Sequence, residues 1–410
     1  MPKGFLRLSI TAIGGALTAA SLLVSPLANA TPAFARSTGA ACNKCHTIDF
    51  PRLTARGERF MRNGFQIRAE KGAELSGPGD AQVKEEEGLK KVANDLWLNN
   101  MTNIFSIYAS VQGFEKTNQE KTATIGKVDT AAILATGSLA KDVPFWTELE
   151  YSVANDKWEA DRFFVGNTNI GDTTLANVRI GSLDPTSWTS FYGNAAGAFK
   201  SMLPKLGSYE GSADGATGFA EVGTGLTPRR AIEYYGYNDQ FLWSAAVANS
   251  TDPDPALEKR YLDYWATLRY DFMKGSSVSA LYYDANGVVD TKVWTLAANF
   301  RTDIADFLAQ YSKDSGTADD TRKEHKGYTL EADVPLVKHW LGIARWDATD
   351  NGETIDNKEA AVTLGVVFAP LQNFKITTAL ASERKKAATD AVPADMPKIN
   401  SFNVNLMYAM

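Results

Sequence analysis

Phe402-Asn403-Val404-Asn405-Leu406-Met407-Tyr408-Ala409-Met410 is the stretch on which the fold turns. Successive side chains of an extended strand point to opposite faces. Phe402, Val404, Leu406, Tyr408 and Met410 therefore share one face, and Asn403, Asn405, Met407 and Ala409 share the other. The same period of two recurs upstream. Leu262, Tyr264, Ala266, Leu268, Tyr270 and Phe272 alternate with Asp263, Trp265, Thr267, Arg269 and Asp271. Tyr328, Leu330, Ala332 and Val334 alternate with Thr329, Glu331 and Asp333. Segments of about ten residues with one apolar and one polar face are the pattern of strands that meet lipid outside and water inside.

Sixteen such segments lie near 103–113, 131–140, 144–154, 158–166, 174–183, 229–237, 239–249, 261–273, 277–285, 290–300, 303–312, 325–335, 338–348, 358–369, 373–382 and 399–410. The number is even, as a single-chain bacterial barrel requires. Connections alternate between short (237–239, 274–276, 301–302, 336–337, 370–372) and long (250–260, 313–324, 349–357, 383–398). One near the start, 155–157, is short where a long one is expected. The fold class is therefore all-β: a transmembrane antiparallel β-barrel of about 16 strands over 97–410. Both barrel ends fall on the short-turn side, which in such barrels faces the periplasm. The longest connection, 184–228, either enters the lumen as a constriction or covers its mouth.

Composition agrees. The chain has 20 Phe, 15 Tyr and 9 Trp, yet its mean hydropathy is mildly polar. Beyond the first 30 residues no uninterrupted apolar run reaches the length of a membrane-spanning helix. Lys3 and Arg7 precede an apolar run from Leu8 to Val24, and Ala28-Asn29-Ala30 is a small-residue cleavage site, so 1–30 reads as a secretory signal peptide. The acidic balance that remains argues against nucleic acid as a partner.

The candidate chemistry sits just after that signal. Cys42-Asn43-Lys44-Cys45-His46 contains both cysteines and one of three histidines. C-x-x-C-H is the spacing of c-type haem attachment: two thiols add to the vinyl groups, and the adjacent imidazole is an axial iron ligand. A redox thiol pair, half a zinc site or a disulfide are the other readings of C-x-x-C. None accounts for His46 or finds the surroundings it needs. Residues 31–68 form a basic segment around the motif, with Arg52, Arg56, Arg59 and Arg62 prominent against Asp49 and Glu58. A helix is expected from Thr54, its N-cap, to Asn63, with Gly64 as the stop. Its stripe of Leu53, Gly57, Phe60, Met61 and Gly64 packs either on a porphyrin or on the barrel. Residues 69–96 read as linker with a short exposed helix. Inward-facing Glu148, Glu150, Asp263, Asp271, Glu331 and Asp333 make the wall acidic, so a basic segment and the wall are expected to attract.

Pro32-Ala33-Phe34-Ala35-Arg36, Thr38-Gly39, Cys42-x-x-Cys45-His46, Pro51-x-Leu53-Thr54 and Gly57-x-x-Phe60-x-x-Asn63-Gly64 together resemble the fused cytochrome–porins of iron-oxidising bacteria. The resemblance covers about 35 residues in detail. Ser37, Met61 and Met410 depart from that pattern, and none of them is a haem-attachment residue. The resemblance implies a small, mostly α c-type cytochrome plug with one covalent haem c on an outer-membrane barrel. It also implies extracellular Fe(II) as donor and a periplasmic c-type cytochrome as acceptor. Expected ligands are Cys42 and Cys45 to the haem, His46 to the iron, and Met61 as second axial ligand, with His325 and His339 as alternatives. No nucleophile triad, phosphate loop or zinc motif points to other catalysis. A solute porin with a structural or regulatory haem, and a conduit running electrons outward, are the competing readings.

Overall fold

The computed structural model describes residues 33–38, 41–50, 52–66, 89–93, 96–99, 104–118, 123–152, 156–190, 228–250, 261–286, 291–316, 325–350, 358–384 and 399–409. The expected signal peptide lies outside them. Among the described residues three short helices come first: α1 (Ala33–Thr38), α2 (Cys42–Cys45) and α3 (Ala55–Arg62). A two-stranded hairpin follows, β1 (Leu89–Ala93) and β2 (Leu96–Asn99). This hairpin falls largely in the stretch expected to be a linker with a short exposed helix, and it pairs Leu89 with Asn99 and Lys91 with Trp97.

Sixteen strands then close into one antiparallel barrel, each bonded to its neighbours in sequence. They are β3 (Phe105–Thr117), β4 (Thr124–Ala140), β5 (Val143–Ser152), β6 (Lys157–Asn167), β7 (Asn177–Leu183), β8 (Arg229–Tyr237), β9 (Phe241–Asn249) and β10 (Leu262–Met273), continuing as β11 (Ser276–Ala285), β12 (Thr291–Arg301), β13 (Asp306–Gly316), β14 (His325–Val337), β15 (Trp340–Asp350), β16 (Lys358–Leu371), β17 (Phe374–Arg384) and β18 (Ile399–Ala409). The pairing of β18 with β3 closes the ring and leaves no edge.

The alternation read from sequence decides which face meets what. Along β10, Leu268 is 56% exposed on the outside while Arg269, next to it, is 4% exposed inside. On β14, Leu330 is 52% exposed and Glu331 is 3%. Outward Trp, Tyr and Phe side chains, including Trp158, Trp294, Phe300 and Trp340, complete an apolar outer surface. Such a surface on a closed ring is a lipid-facing band, and this is a transmembrane barrel of the outer-membrane type. No helix among the described residues is long and apolar enough to cross a membrane.

Differences from the expected boundaries are local. β3 and β4 extend toward each other to Thr117 and Thr124, because alternation continues past residue 113 and the ladder stays paired as far as Glu115 opposite Thr124. β14 runs on to Val337, so its turn is Lys338-His339, with His339 at φ 71°. The connection at 153–156 is short at the long-loop end, and the one at 168–176 is longer than its short-turn neighbours. The beginning of the 184–228 connection turns into the lumen. Trp188 is buried against Tyr235, and the Ser190 backbone N–H donates to Ser279 Oγ at 2.7 Å. The rest of that connection, 191–227, lies outside the described residues.

Candidate functional site

The motif forms one helical turn. Cys42 and Cys45, three residues apart, fall on the same side of α2, and the turn closes with His46 N–H donating to the Cys42 carbonyl at 2.8 Å. The chain then doubles back. His46 and Leu53 pair as an antiparallel bridge, Thr47 N–H donates to Arg52 O at 2.9 Å, and Thr54 N–H donates to Cys45 O at 2.8 Å. Thr54 caps α3 as expected, its hydroxyl accepting from Gly57 N–H. Gly57 allows the helix to touch the motif, since a Cβ there would stand 2.2 Å from the Cys45 carbonyl oxygen. Gly64 ends the helix at φ +67°. The two thiols are half-buried and not bonded to each other. Burial raises the pKa of Cys42; it raises Cys45 as well, against the opposing pull of Arg56.

From the motif onward, this segment runs around the inner wall at the short-turn mouth, meeting the strands in descending order. Cys42 N–H donates to Gln372 Oε1 in the β16–β17 turn at 3.0 Å. Asp49 reaches Lys375 on β17 at 2.6 Å. Arg52 pairs with Asp333 on β14 and with Asp306 on β13 at 2.9 Å. Arg301 at the end of β12 donates to Leu53 O. α3 faces β10, Tyr237 on β8 donates to the Asn63 side chain, and Ser138 on β4 donates to Gly64 O at 3.1 Å.

Between α3 and β10 the charges form a closed ring. Glu58 meets Arg269 at 2.5 Å, Arg269 meets Asp271 at 2.7 Å, Asp271 meets Arg62 at 2.7 Å, and Arg62 returns to Glu58 at 3.6 Å. The fit follows from two repeats. Four helical residues rise about 6 Å, and two strand residues rise about 6.6 Å, so Glu58/Arg62 and Arg269/Asp271 match across the gap.

Apolar contacts complete the seat. Phe34 stacks on Phe65 with ring centroids 4.9 Å apart, and Phe65 lies against Trp146 and Phe164 of the wall. Leu53, Met61 and Phe65 are buried in one cluster with these wall aromatics and with Trp188, Tyr235 and Trp265. Deeper in the lumen Glu233 accepts from Arg179, Trp188 and Trp265, and Arg179 lies over the Trp188 ring at 4.5 Å. Near the motif, Ile48 packs on a second, aliphatic patch of the wall, Leu341, Ile343, Val367 and Ala379.

Of the residues singled out from sequence, Cys42, Cys45 and His46 lie together at the rim. Met61 is one helical turn beyond Gly57, on the face that approaches Cys45, and it is buried against the barrel. The stripe of α3 thus packs on the wall. His339 is in the β14–β15 turn, the next hairpin along the same rim from Gln372. His325 begins β14 at the opposite end, eight residues and about 26 Å along the strand from Asp333. That separation removes His325 from the candidates for a ligand shared with His46. The basic segment does meet the acidic wall through Arg52 and Arg62. Sequence reading missed the reverse pairs, because Lys375 and Arg269 look like ordinary lumenal cations until Asp49 and Glu58 are known to face them.

No family model matches the chain, and neither does any curated protein. Solved structures do match. An anion-selective porin from Comamonas acidovorans superposes with a TM-score of 0.55 at 18% identity, covering 75% of this chain and 99% of its own. OmpF of Salmonella typhi, in a complex with daunomycin, gives a TM-score of 0.53 at 12% identity, covering 77% and 98%. The fold is that of a porin. At these identities the likeness extends to the barrel fold alone.

Proposed function

We propose that this porin-like barrel is an outer-membrane electron conduit, oxidising extracellular Fe(II) and passing electrons to a periplasmic c-type cytochrome. One observation carries the reading: the Cys42–His46 turn is bonded to the barrel mouth through Gln372, and the residues just after it are anchored there by the buried Asp49–Lys375 and Arg52–Asp333 pairs. The donor set fits a covalent haem c. Cys42 and Cys45 offer two thiols on one side of one turn, with His46 next in line as iron ligand. An aliphatic patch of the wall lies beneath the same stretch. Met61, on the α3 face toward Cys45, is the proposed second axial ligand. Bound there, haem supplies a one-electron couple.

The protein's own part is placement. α3, the charge ring and the aromatic cluster hold the motif across the mouth. If the short turns face the periplasm, as in such barrels, the motif beside the β16–β17 turn lies at the mouth that a soluble cytochrome would approach. β16 spans 14 residues, about 46 Å along the strand. A donor at the far mouth is therefore too distant for direct transfer, so the reading requires it to enter the lumen.

The likeness to solved porins favours a second reading, a solute porin whose haem is structural or regulatory. Two measurements on one preparation separate them. In intact outer membranes, ferrous iron should reduce the haem to the extent that dithionite does, and in planar bilayers the purified chain should conduct poorly. A haem that only dithionite reduces, together with open-porin conductance, would decide for the solute porin.

A further inference from the structure

The lipid-facing side of the barrel differs between its two ends. On β12, Lys292 is exposed on the outer face, one outward position beyond Trp294, with Val293 buried between them. β13 places Lys313 outside, one outward position beyond Tyr311, with Ser312 buried between. β14 repeats the arrangement with Lys326 and Tyr328 on either side of buried Gly327. Register sets the three lysines side by side. Lys313 lies opposite Lys326 on one side and opposite Trp294 on the other, so Lys292 is its diagonal neighbour. Opposite side chains of an antiparallel pair stand about 5 Å apart and diagonal ones about 7–8 Å. Just below the row, the Tyr282 and Trp294 rings lie 4.4 Å apart and those of Tyr311 and Tyr328 5.0 Å apart. Asp284, opposite Lys292, also faces out, and its Oδ2 accepts from the Tyr282 hydroxyl at 3.0 Å. By register, Asp350 on β15 and Lys358 on β16 continue the row.

At the other end of these strands the outward residues are Val278, Phe300, Phe307 and Val334, and no described outward strand residue there is charged. Outward aromatic girdles mark the level of the lipid headgroups, so the lysine row stands among headgroups of one leaflet only. A lysine that only anchors a barrel serves either interface. Lysines set directly opposite each other are unfavourable unless an anion joins them. The row lies at the end of the long connections, which faces outside in barrels of this type. We propose that Lys292, Lys313 and Lys326 form a docking row for the phosphorylated diglucosamine head of lipid A, the outer-leaflet glycolipid. Its two phosphates on one rigid sugar frame suit several ammonium groups in line, whereas a phospholipid offers a single phosphate. Its acyl chains would lie along Trp294, Tyr311 and Tyr328. The row belongs to the outer surface and holds under either reading of the lumen.

Bis-phosphorylated lipid A tests the row, beside its monophosphoryl form and phosphatidylglycerol. The full chain, purified in detergent and freed of lipid, is titrated with each, and bound lipid is counted by native mass spectrometry. Bis-phosphorylated lipid A should bind more tightly than the other two. Lys292→Gln, Lys313→Gln and Lys326→Gln together should weaken its binding ~100-fold, at about 5-fold for each charge lost beside an anionic surface. That would bring it level with phosphatidylglycerol. Heat-modifiable gel mobility checks that each variant is folded. Should the triple variant fail to fold, Lys313→Gln alone decides, with a loss of about 5-fold. Unchanged binding by these variants overturns the docking row. So does an unaltered chain that holds phosphatidylglycerol as tightly as lipid A, because the lysines would then be general interfacial anchors.

Discussion

Glu58 and Arg62, at the α3 end of the lumenal segment, each meet two opposite charges, whereas Asp49, at the motif end, meets one. The α3 end also carries the Tyr235 and Tyr237 hydrogen bonds and the stacked Phe34, Phe65 and Trp146 rings. Residues 42–50, at the motif end, have the Asp49–Lys375 pair, Ile48 on its aliphatic patch and one bond from Cys42 to Gln372, and beyond them Arg52 pairs with Asp333 and Asp306. One end is thus held redundantly against the wall. The other is held at few points, next to the residues that would carry the chemistry. Redundancy matters because a buried charge that loses its only partner costs far more than one that keeps a second.

The lone pair should therefore be the most sensitive point. Lys375→Met strands Asp49 in a site 1% exposed, and the expected loss is about 3–5 kcal/mol. Denaturant unfolding of the purified barrel measures it, and limited proteolysis should show residues 42–50 becoming cleavable. Adding Asp49→Leu should restore most of the loss, because an apolar pair replaces a buried ion pair at little cost. A drop below ~1 kcal/mol for Lys375→Met would mean that Asp49 finds another partner and that the two ends do not differ as described.

At the redundant end, Arg269→Met opens the ring without isolating anything, since Arg62 still reaches both Glu58 and Asp271. The expected loss is smaller, about 1–3 kcal/mol, with residues 42–50 still protected from protease. If Arg269→Met proved as damaging as Lys375→Met, the ring would be acting as a chain of obligatory pairs, and the comparison would fail.

The contrast also explains what was legible in sequence. Strand number, the inward and outward faces and the helix from Thr54 to Gly64 were readable because each follows from spacing along a few residues. Thus Leu268 and Arg269 announce their faces by adjacency, and Thr54, Gly57 and Gly64 by their place in one helix. The seat was not readable, because it pairs residues hundreds of positions apart. Nothing around Lys375 indicates that its partner is Asp49. The lengths of β3 and β4 were underread for a different reason. Alternation there continues through Glu115, Lys116 and Lys127, which a lipid-facing pattern excludes but a ladder rising beyond the membrane tolerates.

Met61 belongs by position to the redundantly held end and by hypothesis to the chemistry, so it shows whether the division is real. Its side chain fills part of the apolar cluster shared with the wall, and a packed methionine is ordinarily no more than an adaptable apolar residue. Met61→Leu keeps the volume and removes the sulfur. The expected stability change is below ~1.5 kcal/mol, the smallest of the three. If the thioether binds the iron opposite His46, the near-infrared sulfur–iron charge-transfer band should vanish and the haem potential should fall, since a methionine ligand raises it. If band and potential are unchanged while stability is barely altered, Met61 serves the packing alone. The second ligand must then be sought on the rim, where His339 stands in the hairpin next to Gln372, and the motif end would hold all the chemistry by itself.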